Sequence, residues 1–387
     1  MANRIPVDTL YHVTIVTRDA RETARQHSRF YGIPSWKVVD HSSGRLSRTS
    51  FRGRGRGSAE LNAGMVGKAA APGEFGFLSA RGSTPNGGIT FEIIQPTVGL
   101  STFEHFLATR GQGVHSVCLS VVKPEDIGPL RAFLAGEQVP LALSYALDDA
   151  ADFLYFDTRK ALGGFYTQVI VAHRPDWETG MEATELWNFE GDIPKEAAAR
   201  PTQGSTAIPH FGVIVHDLDE HLKNFAKLFG QPVWRGMNWR TAPGSLEETT
   251  CNGKPVVHSY FTGRADIGKT PLGLPFGFEV VQPCFGSSHY KEDFLQILGP
   301  GIHHIDLNFP VADWNEWEAL NRWFEGDYGA PCCMSGWLRG KSALFQYQDT
   351  RRKLGYVVEI HAPRPDNAPK ARWAPDYWYD FSVVSSV

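Results

Sequence analysis

The chain repeats itself, and this duplication limits its possible folds more than any local signal. The stretch from Phe91 reads FEIIQPTVGLSTFEHFLATRGQGVHSVCLSV, and the stretch from Phe278 reads FEVVQPCFGSSHYKEDFLQILGPGIHHIDLNF. The opening segments LYHVTIVTRDARETARQHSRFYG and PHFGVIVHDLDEHLKNFAKLFG also match, as do the closing segments FDTRKALGGFYTQVIVA and QDTRRKLGYVVEIHAP. The sequence therefore predicts two copies of one structural unit.

Each half divides again into two modules. A module opens with a short β-rich run that contains His or its counterpart, continues as an amphipathic helical stretch and ends in several strands. Gly32 and Gly230 directly follow the helical pattern and are typical helix C-terminal signals. We therefore predict an α+β protein of four tandem βαβββ modules. Their expected ranges are 8–110, 111–180, 206–297 and 298–364.

These modules define the expected domain organisation: 1–180 is an N-terminal pair, 181–205 a linker, 206–364 a C-terminal pair and 365–387 a tail. The linker loses the strand pattern and gains proline, glycine and charged residues. The tail is rich in proline and aromatic residues, which predicts an irregular segment. It either covers a surface or interface of the protein or has no function.

Composition limits the class of partner. The 387 residues exceed the usual size of a single core, and a net charge of −4 gives no electrostatic reason to expect nucleic acid. A small-molecule substrate is favoured. The odd number of cysteines and the absence of a CxxC pair argue against a disulfide framework. Without a signal-like start or a run of about 18 apolar residues, we expect a cytoplasmic protein with no membrane contact.

Strand alternation brings distant polar residues to one face. The first strands of the four modules place His12, Ser116, His210 and His304 at equivalent positions, and the last strands place Glu92, Gln168, Glu279 and Glu359. If paired modules form a half-barrel, four side chains from each half converge. The C-terminal set of two imidazoles and two carboxylates suits one divalent ion, which can be Fe, Mn, Zn, Co or Ni.

The N-terminal half retains only His12 and Glu92 of such a set. Serine and glutamine are poor ligands for these metals, and His115 faces the other side if its strand is regular. We therefore predict that this half binds no metal. It can be a structural copy, a second apolar pocket or the surface of a homodimer.

The sequence resembles the vicinal oxygen chelate superfamily, which includes glyoxalases, methylmalonyl-CoA epimerases and extradiol dioxygenases. The resemblance rests on HFGVIVHDLDEHLKNF, GIHHIDL and LGYVVEIHAP, and it covers nearly the whole chain. It implies two glyoxalase-like domains with mixed, curved sheets. It also implies that the metal ligands are the opening histidines and closing glutamates, namely His210, Glu279, His304 and Glu359. His303 is the outward neighbour by parity.

Other residues are candidates for supporting roles. Asp306 and Asn308 share the His304 face by parity, and His361 shares the Glu359 face, so these three either orient the ligands or form ordinary cross-strand pairs. His258 and Tyr260 share one face of a predicted strand. They can contact substrate or act as acid or base, although packing also explains Tyr260.

Two compositional features suggest substrate contacts. The C-terminal half is rich in tryptophan, which suits an aromatic or bulky apolar substrate but also fills a core. The segment from Ser47 carries four arginines that can bind a carboxylate or phosphate, or simply form a solvated loop. These are Arg48, Arg52, Arg54 and Arg56.

The metal set allows three function classes. The favoured one is a lyase, isomerase or epimerase that stabilises an enolate, with Glu279 as the base. The second is an Fe(II) extradiol dioxygenase built on His210, His304 and Glu359; against it, the segment around Tyr347 lacks the family's preceding His and the Pro-x-Gly turn. The third is a binding protein without catalysis. Metal content and oxygen consumption separate the three.

Overall fold

The structure is a computed structural model that describes residues 4–41, 47–51, 75–147, 149–178, 183–241, 244–362, 366 and 374–382. The first module contains β1 (His12–Val16), α1 (Ala20–Tyr31), β2 (Ser35–His41), β3 (Ser47–Phe51), β4 (Phe75–Ser83) and β5 (Thr90–Gly99). After α2 (Thr102–Arg110), the second contains β6 (Gly113–Val122), α3 (Pro124–Gly136), β7 (Leu141–Leu147), β8 (Ala151–Phe156), α4 (Arg159–Leu162) and β9 (Tyr166–Ala172).

The C-terminal half repeats this order after β10 (Glu185–Asn188) and α5 (Arg200–Gln203). Its first module contains β11 (His210–Ile214), α6 (Leu218–Phe229), β12 (Val233–Arg240), β13 (Leu246–Cys251), β14 (Lys254–Pro255), β15 (His258–Lys269) and β16 (Pro275–Gly286). After α7 (Gln296–Leu298), its second contains β17 (Gly301–Asp306), α8 (Trp314–Trp323), β18 (Cys332–Leu338), β19 (Ala343–Gln348), α9 (Arg351–Leu354) and β20 (Val357–Ala362). The last described strand is β21 (Tyr377–Asp380).

The long helices of the two halves begin and end in the same way. Asp19 accepts a hydrogen bond from the backbone N–H of Glu22 at 2.9 Å, and Asp217 accepts one from Glu220 at 3.0 Å. These caps satisfy N–H groups that have no partner within the helix. Gly32 and Gly230 end the helices in the left-handed region, at φ values of 70° and 69°. Both predicted stop signals are thus confirmed.

Each half forms one curled, mixed sheet. Within the described residues, the N-terminal sheet has the order β10-β2-β4-β5-β1-β6-β9-β8-β7-β3, and the C-terminal sheet β14-β13-β18-β19-β20-β17-β11-β16-β15-β12-β21. The two modules of a half meet at their first strands, since β1 pairs antiparallel with β6 and β11 with β17. In each module the last strand runs parallel to the first, as β16 does to β11. The predicted α+β fold of four βαβββ modules is confirmed.

Two short strands lie where no regular element was expected. Strand β10, in the expected linker, pairs with β2, and β21, in the expected irregular tail, pairs with β12. Since β2 and β12 occupy equivalent places, each half is followed by a segment that covers the same sheet edge.

The anion-binding role considered for the arginine-rich segment cannot be compared with the structure. Arg52, Arg54 and Arg56 lie outside the described residues, and only the backbone of Arg48 is described, in β3.

The two halves share one hydrophobic core. It lies between the helix-covered faces of the two sheets and includes α1 residues as well as α6 and α8 residues. Tyr31 and Tyr356 share a hydrogen bond of 2.7 Å across this boundary. Smaller apolar clusters lie on the opposite, concave face of each sheet. No described helix is long and apolar enough to cross a bilayer.

Because the core is shared, we expect Phe30→Ala to destabilise both halves together. Phe30 is fully buried in α1, and its ring lies 5.3 to 6.4 Å from the rings of four aromatic residues of the C-terminal half. Its truncation should lower the free energy of unfolding by about 3–5 kcal/mol, with a single transition in chemical denaturation. Leu186→Ala, at a side chain that is 64% exposed, is the control. A C-terminal transition that stays unchanged would contradict the shared core.

Candidate metal centre

Four neighbouring strands of the C-terminal sheet each supply one potential ligand. In the order β20, β17, β11 and β16, these strands carry Glu359, His304, His210 and Glu279. The residues are distant in sequence but adjacent in the sheet, because the modules join at their first strands and each last strand lies beside its own first strand. Sheet pairing alone therefore brings the four predicted residues together on the concave face.

The four donor atoms surround one point. One ligand atom from each residue lies within 4.8 Å of all the others. His210 Nε2 and His304 Nε2 lie 3.0 and 3.3 Å from Glu359 Oε2, and 3.6 and 3.8 Å from Glu279 Oε2. Ligands held about 2.0–2.2 Å from one ion are separated by about 3.0–3.5 Å. The spacing of the donors fits a single divalent ion.

Burial supports this fit. His210 Nε2, His304 Nε2 and Glu359 Oε2 are buried and have no hydrogen-bond partner within the described residues. Polar atoms left in this state are costly, and native proteins rarely leave several of them facing one another. A cation at their common point would satisfy all three. The side chain of Glu279 is more accessible, at 16% exposed against 5% for Glu359.

The charges of the four residues are matched to a cation as well. Burial and the Arg264 charge would lower the pKa of His210, but Asp306 outweighs them and raises it. Burial would also lower the pKa of His304, and there Glu359 outweighs it. Burial by itself would raise the pKa of Glu279, but the His210 and His304 imidazoles lower it to about 2. The site thus attracts positive charge, as protons on the imidazoles or as a metal that replaces them.

Asp306 and Tyr347 contact two of the ligands on the side that faces away from the centre. Asp306 Oδ2 lies 3.1 Å from His210 Nδ1, so that the opposite ring atom, Nε2, faces the centre. The Tyr347 hydroxyl donates a hydrogen bond of 2.8 Å to Glu359 Oε1 and leaves Oε2 facing the centre. A second hydroxyl, from Tyr290, contacts that of Tyr347. These contacts hold Glu359 more firmly than Glu279.

The remaining polar candidates separate by position. His361 is half-buried beside the site, with Nε2 at 3.6 Å from Glu359 Oε1 and 3.9 Å from Asp306 Oδ1. Asn308 is exposed beyond the end of β17 and does not join the group. His258 and Tyr260 lie on the concave face, where their rings stack at 5.8 Å.

The expectation that His303 faces outward is wrong, and the regular strand on which the expectation for His115 depended is not present. The register of β11 with β17 shifts between Gly212 and Val213, so His303 is an extra residue that has no pairing partner there. Its ring lies 5.3 Å from the ring of His304, and its Nδ1 lies 3.0 Å from His304 Nδ1. The register of β1 with β6 shifts at the equivalent place, and the His115 ring lies 4.9 to 5.8 Å from the rings of Phe103, Phe106 and Tyr155, which belong to the concave-face cluster of that half. A bulge of this kind breaks the alternation on which parity depends.

Gly212 makes room for His304. The two residues are cross-strand neighbours, and a Cβ atom on Gly212 would lie 1.8 Å from the His304 ring. In the N-terminal half the equivalent pair is Thr14 and Ser116, in which the larger residue stands opposite the smaller one. In each half a small residue therefore stands opposite a larger one, and the larger one is His304 in the C-terminal half and Thr14 in the N-terminal half.

The N-terminal residues also converge, and they form hydrogen bonds with one another and with their neighbours, although His12 Nδ1 has no partner within the described residues. His12 Nε2 lies 2.6 Å from Gln168 Oε1, and Glu92 accepts a hydrogen bond of 3.1 Å from Thr14. Gln168 in turn donates to the Tyr155 hydroxyl at 2.8 Å. Within the described residues, the groups of His, Cys, Asp and Glu side chains close enough to hold an ion both lie in the C-terminal half. A metal-free N-terminal half remains a prediction.

The tyrosine that supports Glu359 could have been found from the repeat. Tyr347 is the cross-strand neighbour of Glu359, and Tyr155 is the cross-strand neighbour of Gln168. Both tyrosines precede the closing strand at matching positions of the duplicated sequence. The repeat therefore aligns the residues that contact the ligands as well as the ligands themselves.

Solved structures that resemble this chain include three enzymes. A mutant of 4-hydroxymandelate synthase from Streptomyces coelicolor has a TM-score of 0.52 and 13% identity, over 98% of this chain and 97% of that one. BphC, a halotolerant catechol dioxygenase, has a TM-score of 0.43 and 10% identity, over 93% and 88%. A fusion of a xylose isomerase-like TIM barrel with 4-hydroxyphenylpyruvate dioxygenase has a TM-score of 0.41 and 11% identity, over 94% and 50%.

The likeness to 4-hydroxymandelate synthase spans nearly the full length of both chains. The two proteins share one fold. No protein-family model and no curated protein matches the sequence. At this level of identity the likeness extends to the fold alone, so the chemistry has to be argued from the site.

We expect His304→Ala to abolish metal binding and His12→Ala to leave it nearly unchanged. The two histidines occupy equivalent first strands, but within the described residues His304 lies within 4 Å of two carboxylates and His12 of one. Metal per chain, measured by elemental analysis after dialysis, should fall from about one to near zero in the first variant. Loss of metal in His12→Ala instead would show that the ion is held by the N-terminal half.

Gly212→Ala should weaken metal binding without removing any ligand, because the added methyl group displaces the His304 ring. Loss of ligand positioning typically costs about 10- to 100-fold in metal affinity. Competition with a chelator measures this change. Gly128→Ala is the control, since a Cβ at that position meets no atom within 4 Å. Equal affinities in the two variants would show that Gly212 does not position His304.

Proposed function

We propose that the protein is a divalent-metal-dependent enzyme of the lyase, isomerase or epimerase type. Its substrate is a small, oxygenated, aromatic or apolar molecule, from which a proton is removed next to a carbonyl group. When bound, the ion would polarise that carbonyl and stabilise the negative charge that develops on it. The observation that carries the proposal is Glu279, a second carboxylate beside the His210, His304 and Glu359 set.

The two carboxylates are unequal, which suits a division of roles. Glu359 is 5% exposed and is held by the Tyr347 hydroxyl, so its position is fixed. Glu279 is 16% exposed, and within the described residues no hydroxyl or amide side chain donates to it. A carboxylate that lies beside the ion but is not held in place can turn towards a substrate and accept its proton.

The protonation state of Glu279 agrees with this role. Although burial favours its neutral form, the nearby imidazoles lower the pKa of Glu279 to about 2. The group is therefore ionised at neutral pH, which is the form that can bind an ion or accept a proton. Burial also raises the pKa of Tyr260 and of Tyr290 well above their usual value. These hydroxyls stay protonated, and the Tyr290 hydroxyl donates to that of Tyr347, which in turn donates to Glu359.

The concave face around the centre favours a substrate with apolar surface. Its buried cluster includes Trp239, Tyr260, Phe345 and Met334, with Met237 packed against it. Aromatic and sulfur-containing side chains bind flat or irregular apolar groups well. They also exclude water from the substrate carbonyl group, next to which the proton is removed.

Glu279→Gln tests the proposed base. In deuterated water, the metal-loaded protein should exchange the hydrogen adjacent to a carbonyl in its substrate, which NMR detects across a panel of hydroxy and oxo compounds. We expect the variant to retain its metal and to lose exchange by at least roughly 100-fold. Glu318→Gln, on the exposed face of α8, is the matched control. An exchange rate unchanged in Glu279→Gln would refute the proposal.

Ring cleavage by Fe(II) and dioxygen is the second candidate. It needs only His210, His304 and Glu359, and His258 supports it as a buried concave-face imidazole whose two nitrogens have no partner within the described residues. Burial lowers the pKa of His258 to about 4, so the ring is neutral and able to accept a proton from a hydroxyl group. Oxygen uptake by the Fe(II)-loaded protein with catechols would favour this reaction over proton abstraction.

A further inference from the structure

A row of side chains leads away from the metal centre across the concave face. Glu279 pairs with Arg264 on β15, Arg264 pairs with Arg235 on β12, and Arg235 pairs with Trp378 on β21. Directly paired residues of neighbouring antiparallel strands project from the same face of a sheet. Strands are spaced about 4.8 Å apart, so the arginine backbones lie about 5 and 10 Å from that of Glu279.

The alternation along the two strands confirms which face carries the arginines. Gly263 faces the helical side, since a Cβ there would meet Leu222 of α6. Trp234 also faces that side, where its ring lies 5.3 Å from the ring of Phe225. Arg264 and Arg235 follow these residues directly and therefore face the opposite, concave side.

Glu279 lies across the strand from Arg264, but within the described residues neither arginine forms an ion pair at 4.0 Å or less. Among the same residues, the Arg264 Nε is buried without a hydrogen-bond acceptor. Like charges directly opposite on paired strands destabilise a sheet. A guanidinium Nε–H that is buried without a partner adds to that cost. Both penalties disappear if an anion binds between the two groups.

The N-terminal half shows the same position in a neutralised form. Arg81 is the cross-strand neighbour of Glu92, as Arg264 is of Glu279. Arg81, however, forms an ion pair of 3.3 Å with Glu178 and lies over the ring of Trp177. Arg81 thus forms an ion pair, whereas Arg264 forms none with the residues that the structure describes.

Other polar atoms on the same strand also lack partners. Thr262 is fully buried and its Oγ1 has no hydrogen-bond partner within the described residues, and the same holds for both ring nitrogens of the nearly fully buried His258. By parity Thr262 shares the face of Arg264. Strand β15 therefore presents a series of unsatisfied donors and acceptors beside the metal centre, which is typical of a surface that binds a polar ligand.

We infer that Arg264 and Arg235 bind an oxyanion of the substrate, either a carboxylate or a phosphate group, at a distance from the oxygens that face the metal. This inference rests on the proposed function and names its substrate class: an oxygenated molecule with a separate anionic group. Guanidinium groups suit this task because their paired N–H donors match two oxygens of one anion. Trp378, 59% exposed at the outer end of the row, adjoins this anion site.

Calorimetric titration of the metal-loaded protein with malonate and, separately, with inorganic phosphate tests the anion site. We expect binding to weaken roughly 10- to 100-fold in Arg264→Gln and in Arg235→Gln, with metal content unchanged. Arg264→Lys should recover part of the loss. Arg81→Gln is the matched control and should bind like the parent protein. The tighter of the two probes identifies the anion as a carboxylate or a phosphate.

The same titrations with His304→Ala separate the arginines from the ion. Binding that persists there and still requires Arg264 supports the inference, whereas binding that needs His304 but neither arginine overturns it, because the probe then sits on the metal. The exchange assay is independent of this result. If exchange occurs but anion binding does not depend on the arginines, the anion site is refuted and the proposed reaction stands. If anion binding depends on the arginines but no exchange occurs, the proposed reaction is refuted and the anion site stands.

Discussion

Four side chains that point at one another from inside a protein need a positive charge between them, and the C-terminal half is organised around this requirement. Two carboxylates and two imidazoles meet on the concave face, with three of their donor atoms buried and unpaired. Without a cation, the carboxylates repel each other and the imidazoles must hold protons. With a cation present, both carboxylates and both neutral imidazoles can coordinate it. The strand pairing, the glycine opposite His304 and the Tyr347 contact to Glu359 all maintain this geometry.

In the duplicated N-terminal half, the equivalent residues form hydrogen bonds with one another and with their neighbours. Gln168 replaces a carboxylate and contacts His12, while Thr14 takes the place of the glycine and donates to Glu92. Tyr155 completes the set by accepting from Gln168. Each change removes a charge or supplies a partner. The two halves therefore differ in how they satisfy buried polar atoms far more than in their fold.

Much of this arrangement could be predicted from the sequence, because duplication reveals which residues occupy equivalent strands. The repeat predicted four modules and, from equivalent strand positions, the convergence of His210, Glu279, His304 and Glu359. Parity then failed at His303 and His115, since a one-residue shift in strand pairing leaves no mark in the hydrophobic pattern. The four-residue strands β10 and β21 were missed because so short a segment has no readable period. The row from Glu279 to Arg235 depends on the register of three strands, which the sequence does not reveal.

The proposed chemistry depends on one claim: the C-terminal half binds the metal, and the equivalent residues of the N-terminal half form hydrogen bonds instead. Anomalous diffraction from crystals grown with Mn²⁺ tests it most directly, because it locates the ion and its ligands in a single measurement. The account predicts one peak per chain, at bonding distance from His210, His304 and Glu359, with Glu279 as the fourth protein neighbour. A peak beside His12 and Glu92, or none among the four C-terminal residues, would contradict it.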